Sequence, residues 1–426
     1  MIEKVLRPKN LYKALRKVVS NKGSAGVDGM SVYELESYKE ENRIKLMTSI
    51  VNRKYIPDAI KGVEIPKSNG KTRLLGVPTV VDRWLQQAVG QQLAAKFELE
   101  FEAENYGFRP RKNLHQAVQK SLEYINDGFQ DIVDIDLKAF FDEVQHFKLL
   151  QLIYNKVKCP TTLWLIRKWL RAPILIKGKL HQRRKGVPQG SPLSPLLSNI
   201  LLDELDKELK RKGLRFVRYA DDFSIYTKSK AEAKKVGNVI YLFLKNKLEL
   251  PINREKSGIR RPKTFEVLGH AFTSIYKKGE KGKYQLIVKK GSWENLKRKL
   301  KQITKKTLPY SFEQRLQKLK QVWMGWVNNY HLASIQVKLK RLDEWLRNRL
   351  RYCIWHDWKK LDRKRKNLIR LGIEQGMAYA WSRTRMGGWA VAQSPILGTT
   401  ITLSRLRRKG YSSMLGYYLK RHPEIL

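Results

Sequence analysis

The chain has 426 residues and a formal net charge of +48, with 87 Lys and Arg residues against 39 Asp and Glu residues. This length predicts two or three domains. The cation excess indicates a polyanionic partner, with nucleic acid as the first candidate and a membrane surface as the alternative. A spanning helix is excluded because no run of 18 apolar residues occurs. Only Cys159 and Cys353 are present, which excludes a disulfide framework or a cysteine zinc finger and favours a reducing compartment.

The first sixty residues are predicted to be mostly helical, with one interruption. Residues 21–29, NKGSAGVDG, contain three glycines and predict a loop with a close backbone approach. Ser31 then precedes Glu34 by three residues. This spacing predicts a capping box at the start of the next helix.

A β-hairpin is predicted next, from residues 63–67 and 72–76, because Asn69-Gly70 between them is a strong hairpin turn. Lys67 and Arg73 lie on its two arms, and a solvated face is the default interpretation of these cations. Helical periodicity follows from 81 to about 101.

Residues 132–136, IVDID, predict a strand on which Asp134 and Asp136 share one face, since side chains alternate along a strand. Residues 186–195, GVPQGSPLSP, predict a loop that leads into an amphipathic helix. The N–H groups at the start of that helix are suited to binding phosphate.

Residues 216–226, FVRYADDFSIY, carry the strongest functional signal. Two β-prone runs flank Asp221-Asp222, and Asp favours turns over strands, so the pattern predicts a hairpin with two carboxylates at its tip. One interpretation is a polar surface turn. The other is a Mg²⁺ site that a third Asp from another strand completes for phosphoryl transfer.

From about residue 292 the pattern becomes helical, with two apolar stripes that predict two or three packed helices. The stripes comprise Leu316, Leu319, Val322, Trp323 and Trp326, and Leu339, Leu342, Leu346, Leu350 and Ile354. This part of the chain is the denser in charge and holds eight of the eleven Trp residues. Interleaved cations and indoles suit a nucleic-acid surface, although most of these Trp residues are expected in the helical core.

The order of an acidic strand, a Pro-Gln-Gly loop with its helix, and an acidic hairpin is the order that a nucleotide polymerase needs. Residues 219–222, YADD, with 186–195 and 106–110, YGFRP, resemble the bacterial group II intron-encoded reverse transcriptases, or maturases. The resemblance covers nearly the whole chain. It extends to the family's N-terminal extension at 21–29, fingers motif at 76–83, primer-grip region at 268–272 and thumb signature at 326–330.

This resemblance implies that Asp136, Asp221 and Asp222 form the catalytic triad and bind two Mg²⁺ ions, with Mn²⁺ as a substitute. Family members place a bulky aromatic five positions after the first catalytic Asp. Phe141 holds that position relative to Asp136, which selects Asp136 over Asp134 where strand alternation leaves both open.

The resemblance also implies a nucleotide-binding set. Phe141 is expected to be a steric gate against the ribose 2′-hydroxyl, the alternative being an ordinary core Phe. Lys67 and Arg73 match positions that bind the triphosphate, and Gln189 matches a residue beside the incoming nucleotide. Lys256 matches a basic position expected to protonate pyrophosphate, the alternative being a surface Lys. The implied nucleic-acid contacts are Asn21, Lys22, Gly23, Arg109, Arg111, Gly269 and His270.

The implied fold is α+β, a right-hand polymerase with an antiparallel palm sheet. The expected organisation is an N-terminal extension at 1–60, fingers and palm at 61–285, a helical thumb at 286–372 and a nucleic-acid-binding module at 373–426. His270 and Ser257 depart from the family pattern, where an aromatic and a Thr are common, and His270 is expected to pack rather than to catalyse. Because the tail has no Cys and His cluster, an endonuclease domain is not expected.

The resemblance implies an RNA-directed DNA polymerase that also binds its intron RNA to promote splicing and retrohoming. Its expected partners are the RNA template, the intron RNA, a DNA primer or target and dNTPs, and its expected location is a ribonucleoprotein in the bacterial cytoplasm. Two alternatives are a maturase that acts mainly as an RNA-binding splicing cofactor, and a domesticated reverse transcriptase in DNA repair or phage defence.

Overall fold

The computed structural model describes residues 1–66, 70, 72–276 and 279–422. They form two compact units, residues 1–265 and the residues from 266 onward. The expected α+β character is confirmed by helices that alternate with mainly antiparallel strands. Among the residues described, no helix is both long enough and apolar enough to cross a membrane.

The first unit is rich in helices, many of which begin at a capping residue or a proline. Ser31 and Glu34 form the predicted capping box, on a short 3-10 turn that leads into the third helix. The α-helices are α1 (Ile2–Leu6), α2 (Pro8–Ser20), α3 (Leu35–Val51), α4 (Val80–Phe97), α5 (Leu114–Asn126), α6 (Phe140–Glu143), α7 (His146–Val157), α8 (Pro160–Arg171), α9 (Ser194–Arg211) and α10 (Lys230–Phe243).

The strands of this unit form two four-stranded sheets, in the orders β2-β1-β4-β5 and β6-β7-β3-β8. The strands are β1 (Ile60–Pro66), β2 (Thr72–Val77), β3 (Asp131–Asp136), β4 (Ile174–Ile176), β5 (Lys179–His181), β6 (Arg215–Tyr219), β7 (Asp222–Thr227) and β8 (Gly258–Arg260). The second sheet is antiparallel throughout. In the first, β1 and β2 form the predicted hairpin, whose turn residue Asn69 and whose Lys67 lie outside the described residues.

The core of the first unit lies between the β6-β7-β3-β8 sheet and the helices. Both α4 and α9 are buried along most of their length, and the Trp84 indole of α4 donates a hydrogen bond of 2.8 Å to the Leu11 carbonyl of α2. The β1–β2 hairpin stands apart from this core, because most side chains of β1 are exposed. The two sheets therefore offer different surroundings to the residues they carry.

The second unit is a small sheet followed by helices. Its strands β9 (Glu266–Val267), β10 (His270–Ser274) and β11 (Tyr284–Val288) pair in the order β11-β10-β9. Both predicted stripes lie on buried helix faces, with Leu319 and Leu346 almost fully buried. The helices are α11 (Lys290–Ile303), α12 (Phe312–Tyr330), α13 (Gln336–Asp357), α14 (Leu361–Arg370), α15 (Gln375–Ser382), α16 (Gly388–Gln393), α17 (Pro395–Thr400), α18 (Leu403–Arg408) and α19 (Met414–Leu419).

The end of the chain is held to α13 by one buried carboxylate. Asp343 accepts hydrogen bonds from the backbone N–H groups of Met414 and Leu415 and from the hydroxyls of Tyr411 and Ser413, at 2.7–3.0 Å. A carboxylate at the first turn of a helix satisfies N–H groups that have no partner within the helix. Asp343 thus fixes α19 against the helical core of its unit.

Candidate active site

The Asp221-Asp222 pair lies on the predicted hairpin. Strands β6 and β7 pair antiparallel with Tyr219 opposite Asp222, so Ala220 and Asp221 form a two-residue turn. Ala220 has a φ of +59°, the left-handed conformation that such tight hairpin turns require. The turn places Asp221 at the tip and Asp222 at the first position of β7.

The register of the sheet brings Asp136 to these two residues. Asp136 ends β3 and is the direct cross-strand partner of Asp222. Paired residues project to the same face of a sheet, so both carboxylates begin on one face beside the turn. Asp134, two residues earlier, is instead engaged by Arg260, whose Nε lies 2.7 Å from its carboxylate. The register therefore places Asp136 beside the acidic turn, while Asp134 is paired with Arg260.

Desolvation and neighbouring negative charge disfavour ionisation of Asp221 and Asp222. Desolvation, followed by the charges of Asp221 and Asp136, raises the pKa of Asp222 to about 6, although its side chain reaches solvent. Desolvation also raises the pKa of Asp221, and the Arg73 cation opposes that shift. A divalent cation with a preference for hard oxygen ligands would relieve this repulsion.

The carboxylates of Asp136, Asp221 and Asp222 are oxygen donors that suit such a cation, although they do not converge on one point. Within the described residues, no three carboxylate, imidazole or thiol groups stand at the spacing of a finished metal centre. One Asp136 oxygen lies 3.6 Å from Lys256 Nζ. A cation shared by these three residues would therefore require their carboxylates to turn toward it.

A buried network that sequence reasoning missed fixes the turn. The Arg218 guanidinium and the Asp206 carboxylate are fully buried and paired, with Nε 2.7 Å from the carboxylate. Arg218 also donates to the Ala220 carbonyl at 2.9 Å and to Asn199 at 3.0 Å, and Asn199 donates to the Gly107 carbonyl at 2.8 Å. The sequence signal for this network was an Arg in the middle of a β-prone segment, between Val217 and Tyr219.

Gly107, in the YGFRP motif, packs directly against the same turn. A Cβ atom at Gly107 would lie 2.2 Å from the backbone nitrogen of Ala220, so only glycine fits there. The neighbouring Tyr106 N–H donates to the Arg218 carbonyl at 2.8 Å. The YGFRP motif therefore packs against the backbone of the acidic turn.

The predicted nucleic-acid contact at Arg109 needs correction, because its side chain is only 7% exposed. Its guanidinium donates to the Glu98 carboxylate at 2.9 Å and to the carbonyls of Glu102 and Asn105. These internal partners leave Arg109 a structural role, since a buried cation is stable only when it is paired. Arg111, two residues on, is exposed.

The predicted nucleic-acid contact at His270 also needs correction as far as the side chain is concerned. Its imidazole is fully buried against the Tyr330 ring, with the ring centroids 5.0 Å apart. Packing was the role expected of His270 itself. At Gly269, a Cβ would lie 2.6 Å from the Tyr330 hydroxyl, which explains the glycine by close approach. The His270 side chain therefore has no exposed surface that could contact nucleic acid.

The Pro-Gln-Gly loop joins two predicted nucleotide-binding positions. The Gln189 carbonyl accepts a hydrogen bond of 2.7 Å from the Gly76 N–H of β2, and the Val187 N–H donates to the Phe141 carbonyl at 2.7 Å. Gly190 has a φ of +118°, and a Cβ there would lie 2.5 Å from the Gly76 carbonyl oxygen. The loop thus connects the β1–β2 hairpin to Phe141, whose half-buried ring packs edge-on against buried Phe140 at 5.3 Å.

The remaining predicted positions differ in exposure. Arg73 is exposed on β2, opposite Ile65 of β1. Lys256 is 66% exposed and belongs to a segment that binds the Asp136 backbone, since the Asp136 N–H donates to the Ser257 hydroxyl at 3.0 Å. In the N-terminal loop, Asn21 and Lys22 are exposed, whereas Gly23 lies against Arg83, where a Cβ would approach the guanidinium to 2.4 Å.

Comparison with known proteins now identifies the family. Residues 65–272 match the model for reverse transcriptase (RNA-dependent DNA polymerase), and residues 293–372 match the model for the group II intron maturase-specific domain. Together the two models cover the strands that carry the triad and the first helices of the second unit.

Two curated relatives agree with these matches. The group II intron-encoded protein LtrA of Lactococcus lactis subsp. cremoris is 31% identical over 320 residues, which cover 60% of this chain and 53% of that protein. Protein YkfC of Escherichia coli (strain K12) is 28% identical over 328 residues, which cover 67% of this chain and 86% of that protein. The chain thus spans about half the length of LtrA.

Among solved structures, a chain of a partial Cas6-RT-Cas1–Cas2 complex aligns with 58% of this chain and 42% of its own length. The identity is 22% and the TM-score is 0.35, which is too weak to inform the fold. The family assignment therefore comes from the two sequence models and the curated relatives. The chain belongs to the group II intron-encoded reverse transcriptases, with a reverse transcriptase domain followed by a maturase-specific domain.

Proposed function

We propose that the protein is an RNA-directed DNA polymerase that also binds its intron RNA to promote splicing and retrohoming. The observation that carries the proposal is the cross-strand pairing of Asp136 with Asp222 beside the Asp221 turn, within a matched reverse transcriptase domain. The match to a maturase-specific domain supports the splicing role. The substrates are an RNA template, a DNA primer and dNTPs.

The proposed architecture is a right hand. Residues 61–285 provide fingers and palm, with the β6-β7-β3-β8 sheet as the palm, and residues 286–372 provide the thumb. Residues 1–60 form an N-terminal extension, and residues 373–426 form a nucleic-acid-binding module.

Reverse transcriptases use divalent metal ions, and we assign two Mg²⁺ ions, or Mn²⁺ in their place, to Asp136, Asp221 and Asp222. When bound, the ions supply electrostatic stabilisation of the charge that develops on the transferring phosphoryl group. Arg218 and Asp206 hold the backbone of the turn in place, so that only the carboxylate side chains need to reorient when an ion binds.

The other residues act on the nucleotide. The cations of Arg73 and Lys67 bind the triphosphate, with Arg73 already within electrostatic reach of Asp221. Gln189 lies beside the incoming nucleotide, and the Phe141 ring excludes a 2′-hydroxyl. Lys256, at 3.6 Å from Asp136, donates a proton from Nζ to the leaving pyrophosphate.

Primer extension on an RNA template in the presence of Mg²⁺ tests this function. The double variant Asp221→Ala, Asp222→Ala is expected to lose DNA synthesis, and full activity would overturn the metal-site assignment. The same variant in an intron-splicing assay separates the two roles. Splicing that persists without DNA synthesis would show that RNA binding is an independent function.

A further inference from the structure

The second unit contains a pocket of about 530 Å³ between α11, α13 and the strands β10 and β11. None of the positions assigned to polymerisation lies in it. Its volume is within the range of small-molecule and nucleotide sites in proteins. The indoles of Trp293 and Trp345, both half-buried, form part of its lining.

Each of the two indoles lies within cation–π distance of a lysine from the facing helix. Lys297 of α11 places its Nζ 5.4 Å from the ring centroid of Trp345 on α13. Lys338 of α13 places its Nζ 5.5 Å from the ring centroid of Trp293 on α11. Each helix therefore contributes one indole and one lysine to this pair of contacts, so both α11 and α13 shape the pocket.

Further cations surround this pair. Lys289, Lys290 and Arg341 also line the pocket and are exposed, while its carboxylates are Glu266 and Glu294. Glu266 is already paired with Lys289. With Lys297 and Lys338, five cations stand against two carboxylates, so the pocket is positive and selects an anionic ligand.

A ligand that fits must have both an aromatic face and negative charge beside it. An unpaired nucleotide has both, because its base can stack on an indole while the flanking phosphates meet lysines. A base within a duplex is already stacked on its neighbours, and an acidic peptide has no flat ring next to each charge. Of these partners, single-stranded nucleic acid fits the pocket best.

We propose that this pocket binds an unpaired nucleotide of a single-stranded nucleic acid, with the base against an indole and the neighbouring phosphates on the lysines. The proposal rests on nucleic acid as the partner in the proposed function. It adds a binding site with a defined ligand class, and a preference for single-stranded segments over duplex.

Fluorescence anisotropy with labelled oligonucleotides of one sequence, as single-stranded RNA, single-stranded DNA and duplex RNA, tests the proposal. Trp345→Leu is expected to weaken single-strand binding about tenfold, the size of one lost base–aromatic stack, and to leave duplex binding unchanged. Trp345→Phe, which keeps a ring, restores most of the loss. Trp164→Leu, at a half-buried Trp of α8 outside the pocket, is the control. Equal losses for both strand types would overturn the proposal.

A pair of lysine substitutions provides a second test of the pocket if Trp345→Leu does not fold. Lys297→Gln with Lys338→Gln is compared with Lys299→Gln and Lys340→Gln, which are exposed on the same helices but do not line the pocket. Only the first pair is expected to reduce the preference for single strands. Equal effects of both pairs would refute the pocket, whereas absence of any oligonucleotide binding by the wild-type protein would refute the proposed function itself. The RNA and DNA arms distinguish the two sources of the nucleotide.

Discussion

The acidic turn and the β1–β2 hairpin carry the negative and the positive half of the candidate active site, and they differ in how deeply their supporting residues are buried. Behind the turn, Arg218 and Asp206 are fully buried and paired, and Gly107 packs against the backbone. On the hairpin, Arg73 is exposed and most of β1 faces solvent. For the proposed function, the difference means that the backbone of the acidic turn is held in advance by the fold, whereas the cations proposed for the triphosphate remain accessible to a substrate that must enter and leave.

The largest effect is expected on stability, from disruption of the buried Arg218–Asp206 pair. Arg218→Met leaves the Asp206 carboxylate buried without its cation, so the free energy of unfolding is expected to fall by about 3–5 kcal/mol. In the double variant Arg218→Met, Asp206→Leu, an apolar pair replaces the ion pair and most of that stability returns. DNA synthesis stays low because the Ala220 carbonyl has lost its donor. Chemical denaturation and primer extension measure the two effects, and full activity of the double variant would show that the network does not position the turn.

Asp82 of α4 is a second carboxyl group whose pKa is raised to about 6, and its fully buried surroundings differ from those of Asp222 at the acidic turn. Burial raises this pKa, and hydrogen bonds from Tyr55, Trp169 and Thr79 oppose the shift. The raised folded-state pKa means that ionisation costs stability. That cost is absent below about pH 4 and is complete above about pH 6, where it amounts to roughly 3 kcal/mol.

Asp82→Asn removes this ionisation while it keeps an acceptor for Tyr55 and Trp169, which both donate to the same oxygen. The stability of the variant relative to the wild type is therefore expected to rise as the pH increases from 4 to 7. Thermal unfolding of both proteins across this range measures it. A constant difference between them would contradict the assignment to Asp82.

The exposed half is tested by Arg73→Ala. Loss of one charge-assisted contact to the triphosphate corresponds to about 1.5–3 kcal/mol, so the KM for dNTP is expected to rise roughly ten- to a hundredfold. The thermal midpoint stays unchanged because Arg73 is exposed. Lys61→Ala, an exposed cation on the same hairpin, is the control and leaves the KM for dNTP unaltered. Equal KM values for wild type and Arg73→Ala would remove Arg73 from the nucleotide site.

A smaller effect is expected at Phe141, which the Pro-Gln-Gly loop holds by a backbone hydrogen bond. Phe141→Ala opens space beside the sugar, and ribonucleotide incorporation relative to deoxynucleotide is expected to rise about tenfold. Phe147→Ala, at an exposed ring, serves as the control. Unchanged discrimination in competition assays would leave Phe141 as a packing residue.

Local sequence patterns predicted the elements well where neighbours in the chain determine them. The acidic hairpin, the Ser31–Glu34 capping box and the apolar stripes of α12 and α13 depend on turn chemistry and periodicity within one segment. Family resemblance then selected Asp136, which the strand register places opposite Asp222.

Contacts between distant segments were not predictable in the same way. The Arg218–Asp206 pair joins a strand to the preceding helix, and its burial depends on how the two pack together. Arg109 was expected to contact nucleic acid because it is a cation in a family motif. Its partner Glu98, eleven residues earlier, became visible only in the fold. Charge alone does not reveal whether a side chain faces solvent or the protein.

The most direct test of the central claim compares two carboxylates on one strand. Asp136→Asn and Asp134→Asn make the same chemical change on the same face of β3, but only Asp136 is the cross-strand partner of Asp222, while Asp134 is paired with Arg260. Mg²⁺-dependent primer extension on an RNA template is expected to fall on the order of a hundredfold or more for Asp136→Asn, and to stay within about threefold of wild type for Asp134→Asn, whose carboxylate is held outside the metal site. Activity retained by Asp136→Asn, or lost equally in both variants, would contradict the assignment of the metal site.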